Sequence, residues 1–258
     1  MIRIDDYEVL KFNIVRWLKD YYWMNNIKAF VVGVSGGIDS AVASTLAAET
    51  GLPTYVVSMP LMSTMENDSL SDAHTKWLEE KYPNVERVRM ELSGVYDQFI
   101  HSLEWWNETT RNNKKEFTSS ELTNANTKSR IRMITLYQIA GNVGGVVVGT
   151  GNKVEDYGVG FFTKYGDGGV DIAPIADLYK SEVWELGESM GIDQRIVDAS
   201  PTDGLWDDGR TDEDQLGVSY ADLEEAMENG TGPGVDVLKK FNTQNQHKMV
   251  PIPTFKLQ

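Results

Sequence analysis

Cysteine is absent from the 258 residues, and that absence removes two chemistries. No disulfide can staple the fold, and no thiol can release ammonia from glutamine, a common nitrogen source for amide-forming enzymes. If this chain transfers nitrogen, it uses free ammonia or receives it from another polypeptide. Positive charge is also scarce. Against 24 Lys and Arg stand 39 Asp and Glu, a net charge of −15, which argues against a nucleic-acid partner. A protein of this sign that binds polyphosphate must concentrate its cations locally or use a metal. No apolar run is long enough to span a bilayer and no charged-then-apolar leader opens the sequence, so the expectation is a cytoplasmic protein with no membrane partner. Repeats and low-complexity linkers are missing too. Residues 1–258 therefore read as a single domain of ordinary globular composition, with 41% hydrophobic and 24% charged residues.

What is present centres on Phe30-Val31-Val32-Gly33-Val34-Ser35-Gly36-Gly37-Ile38-Asp39-Ser40. A β-branched apolar run stops in a Ser/Gly turn and passes into an alanine-rich helix. Strand, glycine loop and helix N-terminus in that order make an anion cradle, because loop amides and the positive helix end point at the same place. Gly36 and Gly37 permit close backbone approach, and Ser35 and Ser40 offer hydroxyl donors. Asp39 would repel phosphate unless it holds a divalent cation that bridges to it. No lysine follows the glycines, so a Walker loop is excluded, and the Gly33–Gly37 spacing fails the dinucleotide fingerprint.

Around this loop the pattern alternates. A helix is predicted over Tyr7–Trp23 with Asp5 or Asp6 near its N-cap, its aromatics serving core or subunit interface. Strands are predicted at Thr54–Met59, Val85–Leu92 and Gly145–Gly149. Helices are predicted at Ile38–Thr50, at Asn67–Tyr82 with Ser63 or Thr64 as cap, from Ser93 to about Trp106, and at Thr127–Gly141. Later helices fall near Lys180–Met190 and Tyr220–Met227. Asn107–Asn124 reads as a surface segment, Asp203–Asp214 as an acidic loop, and the end as a polar tail. Alternation of this kind predicts an α/β fold with a doubly wound, Rossmann-like parallel sheet, helices on both faces and ligands at the strands' carboxyl ends.

Further motifs are weaker singly. Asn126-Thr127-Lys128-Ser129-Arg130-Ile131-Arg132-Met133 is either a solvated helix face or a cationic ligand face. Thr150-Gly151-Asn152-Lys153-Val154-Glu155 follows a strand that would lie beside the first loop. Glu155 is then either a capping acid or a partner of Asp39 on a metal. Phe161-Phe162-Thr163-Lys164-Tyr165-Gly166-Asp167-Gly168-Gly169 reads as a ligand loop whose rings stack a base or pyridine while Lys164 meets a phosphate. Lys180, Thr202 and His247-Lys248 carry little alone.

Ser35-Gly36-Gly37-Ile38-Asp39-Ser40 resembles the loop of the N-type ATP pyrophosphatases. These enzymes cleave ATP between its α- and β-phosphates to adenylate a substrate oxygen. The ordered series GVSGGIDS, NTKSRIRM, GTGNKVE, FFTKYGDGG, PTDGLWDDGRTDEDQLG and terminal HK, from about Phe30 to Met249, resembles the ammonia-dependent NAD synthetases. The resemblance implies ATP-dependent amidation of deamido-NAD with ammonia, with ATP as co-substrate and Mg²⁺ as cofactor. It implies that Gly33, Val34, Ser35, Gly36, Gly37, Ile38, Asp39 and Ser40, with Thr150, Lys180 and Thr202, bind ATP. It further implies that Asp39 and Glu155 hold the metal, and that Arg130, Lys164, Asp171, His247 and Lys248 bind deamido-NAD. Asp167 matches an acid near the ammonia site; with Lys180 it is the catalytic candidate. A homodimer with the dinucleotide site at the interface is implied too. Two departures stand out: Ser58 occupies a position where some members place arginine, and one extra residue separates Glu155 from Phe161. Another ATP pyrophosphatase, such as a tRNA-modifying enzyme, or an ATP-binding sensor without turnover, is the alternative.

Overall fold

The computed structural model describes residues 3–62, 65–109, 120–202, 205 and 210–257. Asp6 starts helix α1 (Tyr7–Met24), its carboxylate accepting from the amides of Glu8 and Val9 at 2.9 and 3.1 Å. One stripe of α1 is buried through Leu18 and Tyr22, while Phe12, Trp17 and Trp23 face solvent. The chain then alternates through β1 (Phe30–Val34), α2 (Ile38–Glu49), β2 (Thr54–Ser58), α3 (Met65–Lys81), β3 (Val85–Arg89), α4 (Ser93–Thr109), α5 (Glu121–Val143) and β4 (Val146–Val148). A π-helix (Val154–Val159) follows, then α6 (Lys180–Ser189), α7 (Gln194–Val197), α8 (Asp212–Leu216), α9 (Tyr220–Asn229) and α10 (Val235–Met249).

All strand pairs are parallel, in the order β3-β2-β1-β4, with Val32 opposite both Val56 and Val148. Successive side chains on β1 feed opposite layers. Phe30 and Val32 join Val148 in a core with α1, α2 and α6, whereas Val31 joins Val57 and Val147 in a core with α4 and α5. Burial on both faces is why these strands read as unbroken apolar runs. Each such fully buried side chain contributes about 1.5–3 kcal/mol. The sheet is doubly wound: the chain grows outward from β1 to β3, then returns to place β4 on the other side of β1. The reversal opens a crevice between the carboxyl ends of β1 and β4, where the loops beginning at Ser35 and Gly149 face each other.

Several boundaries differ from the sequence reading. Helix α5 starts six residues before the predicted Thr127, because Ser120 caps it by accepting from the Thr123 amide at 3.2 Å. The polar tail is the 15-residue helix α10. Its half-buried Val237, Leu238 and Phe241 pack on Val154, Val159, Tyr220 and Leu223, and Asn242 and Asn245 donate to the carbonyls of Gly158 and Val159 at 3.0 and 2.8 Å. Part of the expected acidic loop is α8, held by reciprocal Thr211 and Asp214 caps. The segment that carries Glu155 is a single wide turn, the π-helix Val154–Val159, a form found mostly as single turns and often at functional sites. The proposed caps Ser63 and Thr64, residues 110–119 and most of 203–209 fall outside the described residues. Among the described residues, no helix is long and apolar enough to cross a membrane.

Candidate active site

The Ser/Gly loop turns at Gly36, where φ of 97° is a conformation that only glycine adopts without strain. Its serines are bonded to the loop itself. Ser40 Oγ accepts from the Ser35 amide at 3.1 Å and donates to the Gly37 carbonyl at 2.9 Å, and Ser35 Oγ accepts from the Gly37 amide at 3.3 Å. Both hydroxyls are thus tied into the loop whose shape they hold. Gly37 caps α2 without a side-chain bond, which leaves the first amides of that helix to whatever enters the crevice.

Asp39, on the first turn of α2, meets residues from two other segments. Lys180 Nζ lies 2.5 Å from Asp39 Oδ2 and 3.2 Å from Glu155 Oε1, and its side chain is only 3% exposed. Burial alone would depress the Lys180 pKa, but the two carboxylates outweigh it and hold the ammonium charged. Glu155 is raised by burial and by Asp39, against the pull of Lys180. Asn152, fully buried, donates to Asp39 Oδ1 at 3.1 Å and accepts from the amides of Val154 and Glu155 at 3.0 and 3.1 Å. One asparagine thus holds the Asp39 carboxylate and the backbone turn that carries Glu155. Next to Glu155, Asp156 is pushed up to about 7, by burial first and then by Glu155, Asp167 and Asp39.

Asp39, Glu155, Asp156 and Lys180 line a cavity of about 850 Å³. Another part of its wall is built where α5 grips the loop 161–169. Thr163 Oγ1 pairs with Asn126 Oδ1 at 2.6 Å, and Asp167 Oδ1 accepts from Ser129 Oγ at 2.6 Å and from the Thr163 amide at 3.1 Å. The approach is so close that a Cβ on Gly166 would sit 2.2 Å from Ser129 Oγ. Helix α10 clasps the same loop: Lys164 Nζ donates to the His247 carbonyl at 3.2 Å and Lys248 Nζ to the Phe162 carbonyl at 2.7 Å. Burial lowers the Lys248 pKa, partly offset by Asp167. Arg130 Nε donates to the Lys164 carbonyl at 3.2 Å.

The cavity brings together Gly33 to Gly37, Asp39, Ser40, Arg130, Thr150, Glu155, Lys164, Asp167, Lys180, Thr202, His247 and Lys248. Ile38 turns into the core at 3% exposure. Asp171 stands apart from the lining; its carboxylate accepts from the Val147 amide at 2.8 Å and the Tyr137 hydroxyl at 2.9 Å, which ties the edge of β4 to α5. Ser58 reaches the cavity wall with a buried Oγ that has no hydrogen-bond partner. The Ser/Gly cradle, the lysine-bridged acids and the aromatic loop that carries Lys164 therefore share one enclosure.

Residues 11–252 match the family described as NAD synthase. The chain belongs to that family. The NH(3)-dependent NAD(+) synthetase of Carboxydothermus hydrogenoformans is 36% identical over 239 residues, 91% of this chain and 92% of that one. The protein of that name from Saccharolobus solfataricus is 35% identical over 268 residues, 98% and 90% of the two chains. Among solved structures, NMN synthetase from Francisella tularensis superposes with a TM-score of 0.85 at 31% identity, over 98% of this chain and 100% of that one. The NH3-dependent NAD synthetase of Campylobacter jejuni has a TM-score of 0.74 at 22% identity over the same shares, a likeness of fold.

Within this NAD synthase chain, the sequence reading missed Asn126, Ser129, Asn152, Asp156 and Tyr220. Asn126, Ser129 and Asn152 sit inside motifs already singled out, but nothing marked them as the members that hold Thr163, Asp167 and Asp39. Asp156 was overshadowed by its neighbour Glu155. Tyr220 lies in a separate helix and carried no local signal at all.

Proposed function

We propose that this NAD synthase carries out ATP-dependent amidation of deamido-NAD by ammonia, giving NAD, AMP and pyrophosphate through an acyl adenylate. The observation that carries the reading is the single cavity joining the Ser35–Ser40 cradle and Lys180 to the loop of Phe161, Phe162 and Lys164. A carboxylate resists ammonia because its leaving group would be oxide. Attack of the nicotinate oxygen on the α-phosphate replaces that group with AMP, and ammonia then displaces AMP at the carbonyl carbon. No enzyme nucleophile is needed, which suits a chain without cysteine. Gly33 to Ser40, Thr150, Lys180 and Thr202 take the triphosphate; amides of the loop and of the α2 N-terminus bind phosphate oxygens and orient them. Arg130, Lys164, His247 and Lys248 take deamido-NAD, with Asp171 holding the sheet edge beneath them. Asp167 attracts ammonium at the mouth of the ligand loop and accepts a proton as ammonia attacks.

Asp39 and Glu155 fit Mg²⁺. Their carboxylates already share one cation, the Lys180 ammonium. Mg²⁺ is commonly held by one or two carboxylates together with waters and substrate phosphates. When bound, the metal neutralises phosphate charge. The protein acts as a cytoplasmic homodimer of a single-domain chain; the exposed Val9, Phe12 and Trp17 of α1 supply apolar surface for the interface.

The likeness to NMN synthetase favours a second reading, in which the same amide forms on the mononucleotide. One assay decides: pyrophosphate release from ATP with no acceptor, with nicotinic acid mononucleotide, and with deamido-NAD, each before and after ammonium. Release that requires deamido-NAD supports the proposal. Preference for the mononucleotide by tenfold or more in kcat/KM transfers the reading to that substrate. Release without either acceptor, or none, rejects both.

A further inference from the structure

Tyr220, the first residue of α9, is 1% exposed and comes from a segment far from the cradle. Its hydroxyl lies 2.7 Å from Glu155 Oε1 and 3.1 Å from Asp212 Oδ2. A phenol donates one hydrogen, so the shorter contact takes it and Glu155 is the acceptor. The ring is locked: it meets Trp184 edge-on at 6.2 Å between centroids, and the Lys180 ammonium lies 5.0 Å from its centre. Glu155 needs such a partner, because the terminal torsion of a glutamate side chain is broad and soft. Its other donor at Oε1, Lys180, is a cation and is repelled by any metal that Asp39 and Glu155 come to share. Tyr220 is neutral and keeps its bond whether or not a metal is present.

We infer that Tyr220 is a positioning residue for the amidation reaction, fixing the Glu155 carboxylate for a divalent cation and coupling α8–α10 to the ATP end of the cavity. The inference rests on the functional reading above, specifically on Glu155 as a metal ligand. Its chemistry is orientation of a ligand by a hydrogen bond behind it, whose loss typically weakens metal affinity by about 10–100-fold.

The variant Tyr220→Phe removes one oxygen and keeps the ring on Trp184. Mn²⁺ binding to the free protein and to its complex with α,β-methylene-ATP is followed through the electron paramagnetic resonance signal of free Mn²⁺. Tyr220→Phe should bind Mn²⁺ at least fivefold more weakly than wild type in the nucleotide complex. In steady state, it should need correspondingly more Mg²⁺ for half-maximal rate, with KM for deamido-NAD and for ammonium unchanged. A folded Tyr220→Phe protein with wild-type Mn²⁺ affinity overturns the inference. So does an equal rise in KM for all substrates, the mark of general loosening. If wild type binds Mn²⁺ and nucleotide but makes no amide, the functional reading fails while the Tyr220 comparison still stands or falls on the binding data.

Discussion

Ser58 carries a hydroxyl at the cavity wall with no bond to make inside the protein. A buried polar group in that condition costs stability until a ligand satisfies it. Ser58→Ala should leave the free protein equally stable or more stable by about 1 kcal/mol, and should raise KM for ATP roughly fivefold. Chemical denaturation and initial rates check the two halves, and a fall in stability with unchanged KM refutes the assignment. His74 makes a different kind of statement. Packed between α3 and α2, with Nε2 3.2 Å from Ser44 Oγ, it has its pKa lowered to about 4, chiefly by burial. The unfolded chain, near pH 6.5, binds the extra proton first. Stability from this residue is therefore whole above about pH 6.5 and drains as pH falls toward 4, by about 2 kcal/mol at pH 5. In His74→Gln the loss between pH 7 and pH 5, measured by urea unfolding, should shrink by that amount. Residues such as Asp39 and Glu155 were legible in the sequence because the turn after β1 and the turn after β4 must be neighbours in a parallel sheet. Asn152 and Tyr220 were not, because a hydrogen bond across segments leaves no trace in local pattern.

Elements show the same division. Strands β1 and β2 were readable almost to the residue, since burial on both faces forces continuous apolar runs. Helix α10 was not: it adds only Val237, Leu238 and Phe241 to the adjoining apolar cluster and buries none of its residues fully, so its apolar stripe is too thin to stand out from a polar tail. The count between Glu155 and Phe161 flagged something without saying what. There the chain forms one wide helical turn, Val154–Val159, just before the loop 161–169. Deleting Tyr157, 59% exposed on that turn, should convert it to an ordinary α-turn and leave both flanks in register. The deletion variant should keep at least half of wild-type kcat/KM for ATP and for deamido-NAD. Loss of more than tenfold in either would show that the wide turn itself shapes the site.

At the scale of the whole molecule, charge and site pull in opposite directions. The protein carries −15 overall, yet ATP arrives as a polyanion. Inside the cavity the signs nearly balance, with Arg89, Arg130, Arg132, Lys164, Lys180 and Lys248 against Asp39, Glu155, Asp156, Asp167 and Asp212. Local cations act over the last few ångströms, where Lys180 is already committed to its two acids. The approach from solution is governed by the far field, which is repulsive and reaches about 30 Å at 0.01 M salt but only about 8 Å at 0.15 M. Raising NaCl from about 0.01 to 0.15 M should therefore increase kcat/KM for ATP, at fixed saturating magnesium, ammonium and deamido-NAD, while kcat stays constant. Capture by a basic funnel would give the reverse slope, as it does for proteins that gather phosphates with a net positive surface. A fall in kcat/KM over that range would place the controlling charges at the cavity mouth and deny the acidic surface any part in substrate capture.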